Sequence, residues 1–263
     1  MMKIGFIGVG HMAQAIIKGF LQAKAVEPQD IFLHSAHLQN HEDFAKKYQL
    51  TVCSDNLEVV EKSDMVILAV KPDQKETVFS EINATLQHQN KPLLSLLSGV
   101  KLQQLEQLTT TKLPIVRVMP NLNVQIGQGL TALAANEIAQ PAILAQVKQL
   151  FARVGTALIL PETDFQAFAT LAGSAPAFVY LMIDALAHAG VKYGLSKDEA
   201  VKIVSQMVSG SAQLVQRSDQ HPWALIDAVA SPGGSTIAGV LALQEAGFEA
   251  ALTKAVDATI ARS

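Results

Sequence analysis

The sequence is poor in cysteine, in aromatic residues and in charge. Cys53 is the only cysteine among 263 residues, aromatic side chains make up 5% and charged side chains 16%. One thiol can form neither an intrachain disulfide nor a multi-cysteine metal site, which is typical of a reducing compartment and leads us to expect a cytoplasmic location. A net charge of −3 offers no general attraction to nucleic acid or to anionic lipid, so we expect neither partner.

Several catalytic signatures are also missing from the chain. It contains no G-x-S-x-G nucleophile elbow, no G-x-x-x-x-G-K-[ST] phosphate loop and no H-E-x-x-H metal motif. The sequence therefore contains none of the motifs that usually indicate a serine hydrolase, a P-loop enzyme or a zinc peptidase. Hydrophobic residues make up 49%, which is enough to build a sizeable core and excludes disorder as the main state.

The first part of the chain alternates short apolar runs with amphipathic stretches. We predict strands over residues 4–8, 31–33, 64–70, 92–97 and 114–119, and a first helix over residues 12–21. Strands that alternate with helices indicate a doubly wound α/β domain of the Rossmann type. We assign this dinucleotide-binding domain to residues 1–161.

From about Pro161 onward, long apolar stretches with helical spacing replace the short strands. Ser196 to Glu199 form a capping box that predicts a helix to about Arg217, and residues 248–261 predict a terminal helix. The uncharged segment Phe165–Ile183 is long enough to span a bilayer, but its small residues and Pro176 predict a break between two buried helices. We assign residues 162–263 to a second domain that is all helical.

A glycine-rich turn follows the first predicted strand. Gly8, Gly10 and Ala13 form the pattern G-x-G-x-x-A between that strand and a helix. Such a turn lets the backbone approach a pyrophosphate and directs the helix N-terminus towards it. The pattern predicts dinucleotide binding.

The segment after the second predicted strand reads Leu33-His34-Ser35-Ala36-His37 and contains no carboxylate. A carboxylate at this position binds the ribose 2′-hydroxyl of NADH and repels a 2′-phosphate. The segment therefore favours NADPH, with use of both cofactors as the alternative. His34, His37 and His41 are close in sequence, but their spacing does not suit a metal site, and we expect no metal.

Two further turns carry candidate binding groups. Ala69 to Pro72 end the most apolar strand, where open α/β sheets bind ligands, although a plain strand end is the alternative. The segment Ser231-Pro232-Gly233-Gly234-Ser235-Thr236 precedes a helix that we expect to start near Ile237. Its free N–H groups and hydroxyls suit a carboxylate, and a simple N-cap turn is the alternative.

These motifs occur in one order along the chain, and together they resemble pyrroline-5-carboxylate reductase. The residues that carry the resemblance are Phe6 to Met12, Ala69 to Pro72, Arg117 to Asn121, Gly173 to Phe178, His221-Pro222 and Ser231 to Thr236. The resemblance implies reduction of 1-pyrroline-5-carboxylate to L-proline by NAD(P)H, with NADPH as the expected cofactor and NADH as an alternative. This is the last step of proline biosynthesis.

The resemblance also implies roles for individual residues. The implied cofactor contacts are Gly8, Val9, Gly10, His11, Met12, Ser35, Asn56, Ala69, Val70, Lys71, Pro72, Leu97, Ser98 and Asn121. The implied substrate contacts are Asp219, Gly234, Ser235 and Thr236. Of these, Thr236 is the expected catalytic group, as a hydrogen-bond partner of the ring nitrogen.

The resemblance further implies that residues 162–263 serve for substrate binding and dimerisation, because the family forms dimers through its helical domains. We therefore expect a homodimer, and a decamer of such dimers is left open. The chain departs from the family pattern at His11, at Leu122-Asn123 and at Ala175. Two other classes of protein match part of the pattern. β-Hydroxyacid dehydrogenases carry an Asn four residues after a catalytic Lys, whereas Lys192 is followed there by Ser196. A non-catalytic dinucleotide-binding regulator is the other alternative.

Overall fold

The chain forms a mixed α/β unit followed by a helical unit, as the sequence pattern predicts. A computed structural model describes residues 2–36, 38–109 and 112–262, without the side chains of residues 38–40. It divides into two compact units, Met1–Gly173 and Ser174–Ser263.

The first unit is built on one eight-stranded sheet. Its strands are β1 (Ile4–Ile7), β2 (Ile31–His34), β3 (Thr51–Val52), β4 (Met65–Leu68), β5 (Leu93–Ser95), β6 (Ile115–Pro120), β7 (Gly129–Ala135) and β8 (Gly155–Ile159). Their spatial order is β3-β2-β1-β4-β5-β6-β7-β8, and β6 and β7 form the antiparallel pair of an otherwise parallel sheet. The order 3-2-1-4-5-6 is that of dinucleotide-binding sheets, which bind ligands where the strand order reverses between β1 and β4.

Helices cover both faces of this sheet. They are α1 (His11–Gln22), α2 (Leu38–Tyr48), α3 (Asn56–Lys62), α4 (Lys75–Gln89), α5 (Leu102–Gln107), α6 (Pro141–Ala152) and α7 (Phe165–Phe168). Successive residues of a strand point to opposite faces, so Ile67 joins the core beneath α1 and α6 while Val66 and Leu68 join the core beneath α3 and α4. Phe20 and Phe151 close the first core with an edge-to-face contact of 5.4 Å between ring centres.

The sheet contains three strands that the sequence pattern does not predict. The five predicted strands are present with shifted ends, and β3, β7 and β8 are additional. β3 has two residues, too few for an alternating pattern, and β8 is largely exposed. β7 carries alanine and threonine rather than a run of large apolar residues. Short length and small side chains therefore hide these strands from a search for hydrophobic periodicity.

The second unit is helical. Its helices are α8 (Ala175–Lys192), α9 (Lys197–Arg217), α10 (Pro222–Val229), α11 (Ser235–Glu245) and α12 (Phe248–Ile260). The predicted capping box is confirmed, because the Glu199 amide and the Ser196 amide each bond the other residue's side chain. Helix α11 starts at Ser235 rather than near Ile237, because Gly234 serves as the N-cap and both hydroxyl residues enter the first turn.

The uncharged segment is one helical run, which corrects the predicted break. Helix α7 continues through a π-helical stretch, Ala169–Ser174, into α8. Pro176 is the second residue of α8 and lies inside this run, so the N–H that it lacks is one intrahelical bond fewer, and the wider π turn just before it accommodates the proline. By length and composition the run Glu162–Lys192 could cross a membrane, a test that core helices of soluble proteins also pass.

The start of this helical run contacts the sheet through an ion pair and apolar packing. Buried Arg117 on β6 pairs with Glu162 at 2.6 Å, and its guanidinium lies 4.7 Å from the ring centre of Phe165. Phe165 and Ala172 pack against the alanines of β7. Residues 162–173 therefore make their contacts with the sheet and belong to the first compact unit. The boundary that we predict between residues 161 and 162 divides the chain by function, and it stays a prediction.

Candidate functional site

The turn after β1 requires glycine at its first position. Gly8 has a φ of +91°, and a Cβ there would lie 2.7 Å from the Ala69 carbonyl carbon at the end of β4. Its amide donates to the His34 carbonyl at 2.8 Å. Gly8 thus allows the ends of three neighbouring strands to meet closely at the sheet edge.

Gly10 leaves the N-terminus of α1 uncovered. It is the N-cap residue, it has no side chain to cap the helix, and no described atom lies within 4 Å of where its Cβ would be. Intrahelical bonding begins with the Gln14 amide, which donates to the Gly10 carbonyl at 3.0 Å. The preceding amides have no intrahelical acceptor, so this end of α1 can hold a phosphate. The bare backbone fits a dinucleotide.

A groove of about 620 Å³ runs along the carboxyl ends of β1, β2 and β4. It lies where the strand order reverses, which is the expected ligand position in such a sheet. The predicted cofactor residues that line it are Gly8, Val9, Gly10, Ser35, Asn56, Ala69, Val70 and Lys71. Residues from three separate strand ends are therefore brought to one surface.

Other predicted cofactor residues lie outside the lining of this groove. His11 and Met12 form the first turn of α1, Pro72 opens a short 3₁₀ helix, and the buried Leu97 amide bonds the Ser95 hydroxyl. Ser98 is exposed beside Leu97. Whether any of these five contacts the cofactor stays a prediction.

The buried side chain of Asn121 already has two partners within the sheet unit. Its Nδ2 donates to the Ala172 carbonyl at 2.9 Å, and its Oδ1 accepts from the Leu130 amide at 3.0 Å. The first bond joins the end of β6 to the π-helical stretch, and the second joins it to β7. The predicted contact of Asn121 with the cofactor stays a prediction. For such a contact, the side chain must share or replace its bonds to Ala172 and Leu130.

The groove also contains acidic residues that sequence reasoning missed. They are Asp55, Asp73 and Glu81. Asp55 caps α3 by accepting from the Glu58 amide at 2.8 Å, and Glu81 accepts from the Asn56 side chain at 2.6 Å. The spacing of Asp55 and Glu58 is a helix-start signal that could have placed Asp55 at a strand-to-helix turn. Nothing local marks Glu81, which reaches the groove from α4.

Glu58 itself lies next to this turn but is held by other groups. Hydrogen bonds from Lys62 first and then from Ser54 lower the pKa of its carboxyl to about 2. It is therefore ionised across the physiological range and anchors Ser54 at the start of α3.

The helical unit contains the second candidate site, the segment Ser231–Thr236. Gly233 has a φ of +69°, and a Cβ on Gly234 would lie 2.5 Å from the Ser231 hydroxyl. Gly234 is the N-cap of α11, and the first intrahelical bond runs from the Ala238 amide to its carbonyl at 3.3 Å. The amides of Ser235 and Thr236 therefore have no intrahelical acceptor, and both side chains are exposed.

Asp219 lies between α9 and α10. It is exposed. The residues on either side of it form a local hydrogen bond, in which the Gln220 amide donates to the Ser218 hydroxyl at 3.0 Å. His221 then caps α10 by accepting from the Trp223 amide at 3.3 Å. The implied role of Asp219 at the substrate stays a prediction.

Comparison with known proteins defines the class. Residues 3–99 match the family model described as NADP oxidoreductase, coenzyme F420-dependent, and residues 162–263 match the model for pyrroline-5-carboxylate reductase dimerisation. The chain is thus an oxidoreductase with an NADP-binding sheet domain and a helical dimerisation domain.

Full-length relatives identify the family. Pyrroline-5-carboxylate reductase of Synechocystis is 38% identical over 99% of this chain and 97% of its own, and the Arabidopsis thaliana enzyme is 37% identical over 99% and 94%. The crystal structure of the Streptococcus pyogenes enzyme matches with a TM-score of 0.88 and 39% identity, covering 99% of this chain and 97% of that one. The Plasmodium falciparum enzyme with NADP bound matches at 0.89 and 31%, covering 99% and 96%. The chain belongs to the pyrroline-5-carboxylate reductase family.

Proposed function

We propose that this chain reduces 1-pyrroline-5-carboxylate to L-proline with NADPH, the last step of proline biosynthesis. The observation that carries the proposal is the uncapped N-terminus of α11 at Ser235 and Thr236, which is suited to a carboxylate, in a chain that also has a groove suited to a dinucleotide. The substrate contains the two groups this requires, a carboxylate to be held and a C=N bond to be reduced. The reaction adds one hydride to C5 and one proton to nitrogen.

The groove at β1, β2 and β4 is the proposed cofactor site. The turn at Gly8 and Gly10 brings bare backbone to the pyrophosphate, and the free amides at the start of α1 neutralise part of its charge. When bound, NADPH supplies the hydride. The contribution of these residues is to hold the cofactor in one orientation, which is the main part a protein plays in hydride transfer.

The segment Ser231–Thr236 is the proposed substrate site. The amides of Ser235 and Thr236 bind the substrate carboxylate without a cationic side chain, because the helix dipole and the free N–H groups supply the attraction. The Thr236 hydroxyl bonds the ring nitrogen and passes a proton to it as the amine forms, while it takes up a proton from water at this exposed position. A threonine hydroxyl is a weak acid, so its role is positioning and relay.

A homodimer is the proposed assembly. Within the described part of the helical unit, Ala187 and Ala200 are the only buried residues, while Leu181 and Tyr193 are 71% and 82% exposed. Apolar surface on this scale indicates a protein interface. The run Glu162–Lys192 then contributes to the dimer rather than to a membrane span, and the enzyme is cytoplasmic. A decamer of such dimers stays a prediction.

The experiment is NADPH oxidation by the purified protein, followed by its absorbance, with and without 1-pyrroline-5-carboxylate and with proline identified as the product. NADH is tested in parallel. We expect oxidation that depends on substrate and produces one proline per NADPH consumed. Binding of NADPH without substrate-dependent oxidation would support the non-catalytic regulator instead.

A further inference from the structure

The adenosine end of the groove has an unusual balance of charge for a site that binds NADPH. A 2′-phosphate adds between one and two negative charges at neutral pH. Among the described residues that line the groove, Lys71 is the one lysine or arginine, and it lies at the end of β4, whereas Asp55, Asp73 and Glu81 add three carboxylates. At the end of β2, where the ribose 2′ position is read, the described polar side chains are His34 and Ser35.

His34 is held in place from two sides. Its backbone carbonyl accepts from the Gly8 amide at 2.8 Å, which fixes it to the glycine turn. Its ring Nδ1 lies 3.2 Å from the Cys53 carbonyl, which can only accept, so Nδ1 carries the hydrogen. The ring is half-buried and lines the groove, and the buried ring of His41 lies 6.3 Å away.

This bond determines what the other ring nitrogen can do. In a neutral imidazole with hydrogen on Nδ1, Nε2 can only accept. A dianionic phosphate also only accepts, so the two meet favourably only when a proton lies between them, on Nε2 or on the phosphate. The bond to Cys53 therefore links phosphate recognition to the uptake of a proton.

We infer that His34 is the residue that distinguishes NADPH from NADH in this chain, and that it binds the 2′-phosphate with uptake of a proton. The inference rests on the proposal that the groove is the cofactor site. Imidazole suits this role because its charge changes in the physiological pH range. Affinity for NADPH, but not for NADH, then weakens as pH rises.

Other titratable groups lie near His34 among the described residues, and the 2′-phosphate itself has a second pKa of about 6. The phosphate becomes more anionic, and so a better acceptor, as pH rises, which does not weaken its binding to a donor. Burial raises the pKa of the Cys53 thiol to about 11, so it stays neutral. The groove also contains the carboxylates of Asp55, Asp73 and Glu81 and the ammonium of Lys71. Among the described residues, His41 is the other imidazole near His34, and the variants below separate it from His34.

Two substitutions of His34 separate the contribution of Nδ1, which bonds the Cys53 carbonyl, from that of Nε2, which is proposed to bond the phosphate. His34→Asn keeps a donor near the position of Nδ1 for the Cys53 carbonyl but removes the distal nitrogen. His34→Gln places a neutral donor near the position of Nε2, which can bond phosphate but cannot titrate. His88→Asn, on the exposed end of α4, is the matched control. Circular dichroism and thermal unfolding establish that each variant is folded.

The test is calorimetric titration of NADP⁺ and NAD⁺ at several pH values, in buffers of different ionisation enthalpy so that proton uptake is measured directly. In the wild type and His88→Asn we expect uptake with NADP⁺ but not with NAD⁺, and about tenfold weaker NADP⁺ binding at pH 8 than at pH 6. His34→Asn weakens NADP⁺ binding about tenfold or more at pH 6, with NAD⁺ within about twofold. His34→Gln binds NADP⁺ with little pH dependence.

Equal losses for both dinucleotides, or a pH dependence that persists in His34→Asn, would overturn the inference and assign the titration elsewhere. Gly10→Val tests the site itself, because a side chain there projects into the space proposed for the pyrophosphate. If Gly10→Val leaves binding of both dinucleotides unchanged, the groove is the wrong site. If it abolishes both while the His34 variants behave like wild type, the groove stands and only the role of His34 fails.

Discussion

The two units of this chain protect their apolar residues in opposite ways. In the sheet unit, Phe6, Phe20 and Ile67 have no exposed surface, and helices cover both faces. In the described part of the helical unit, only Ala187 and Ala200 are buried. The sheet unit has a core of its own, whereas the helical unit leaves most of its apolar side chains exposed within one chain, as expected of the proposed dimer.

The difference shows that secondary structure and stability can have separate sources. The helical unit has good local signals, such as the reciprocal bonds between Ser196 and Glu199. Local signals define helices, but most of the stability of a helix comes from burial of an apolar face. The stability of this unit should therefore depend on protein concentration, as it does in obligate oligomers.

The largest expected effect is loss of the core of the sheet unit. Phe20→Ala removes a fully buried ring from its contact with Phe151 and should lower the free energy of unfolding by about 3–5 kcal/mol. Urea unfolding followed by circular dichroism measures this loss. Phe248→Ala, whose ring is 38% exposed, is the control with the smaller loss. An equal loss in both variants would contradict the contrast between the units.

The next effect concerns assembly. Leu181→Asp places a charge on the exposed face of α8 and should weaken dimer formation by about 2–3 kcal/mol per chain, because it removes apolar burial and adds a charge to be desolvated. Sedimentation velocity over a range of concentrations measures the shift from dimer to monomer. Leu57→Asp makes the same change on exposed α3 of the sheet unit and should leave the mass unaltered. If both variants remain dimeric, α8 is not part of the interface.

A third effect separates cofactor binding from catalysis. Thr236→Ala removes the hydroxyl proposed to bond the ring nitrogen and should lower kcat about tenfold to a hundredfold, while the Kd for NADPH stays within about twofold. Steady-state kinetics and a binding titration provide the two numbers. Thr253→Ala, on exposed α12, is the matched control. Unchanged turnover in Thr236→Ala would remove this hydroxyl from the mechanism.

Much of the sheet unit could be predicted because its strands are apolar on both faces and stand between helices. Residues 64–70 show this most clearly, since β4 is fully buried and its neighbours β1 and β5 follow the same pattern. The glycine turn was also predictable, because Gly8 adopts a backbone conformation that other residues rarely take. In both cases the residues needed are adjacent in sequence.

The rest depends on contacts between distant residues. Glu81 reaches the groove from the middle of α4, and Asn121 bonds Ala172, 51 residues further along the chain. The pairing of Arg117 with Glu162 draws residues 162–173 to the sheet, although their sequence continues the helical pattern that follows. Such contacts carry no local periodicity, so the sequence alone predicts the elements better than it predicts their partners.

The smallest expected effect compares one helix cap in each unit. Ser196→Ala at the start of α9 and Asp55→Ala at the start of α3 each remove a side-chain acceptor from the first turn and should each cost about 1 kcal/mol. Urea unfolding measures both. The Asp55→Ala loss should be the same at every protein concentration, whereas the Ser196→Ala loss should be detected together with dimer dissociation. Equal behaviour of the two variants on dilution would contradict the proposed difference between the units.

The pH dependence of the Ser196 cap has a definite sign. Hydrogen bonds from the Ser196 hydroxyl first and then from its amide lower the pKa of the Glu199 carboxyl below its ordinary value of 4.5. A depressed folded pKa stabilises the protein fully above the ordinary value, and the contribution is lost as pH falls through the lower folded value. Unfolding measured from neutral pH down through this range should therefore show a gap between the wild type and Ser196→Ala that narrows towards the acidic end. The part that remains there is the lost bond from the Glu199 amide to the Ser196 hydroxyl oxygen. A constant gap would mean that the hydroxyl stabilises the cap only as the acceptor of that amide.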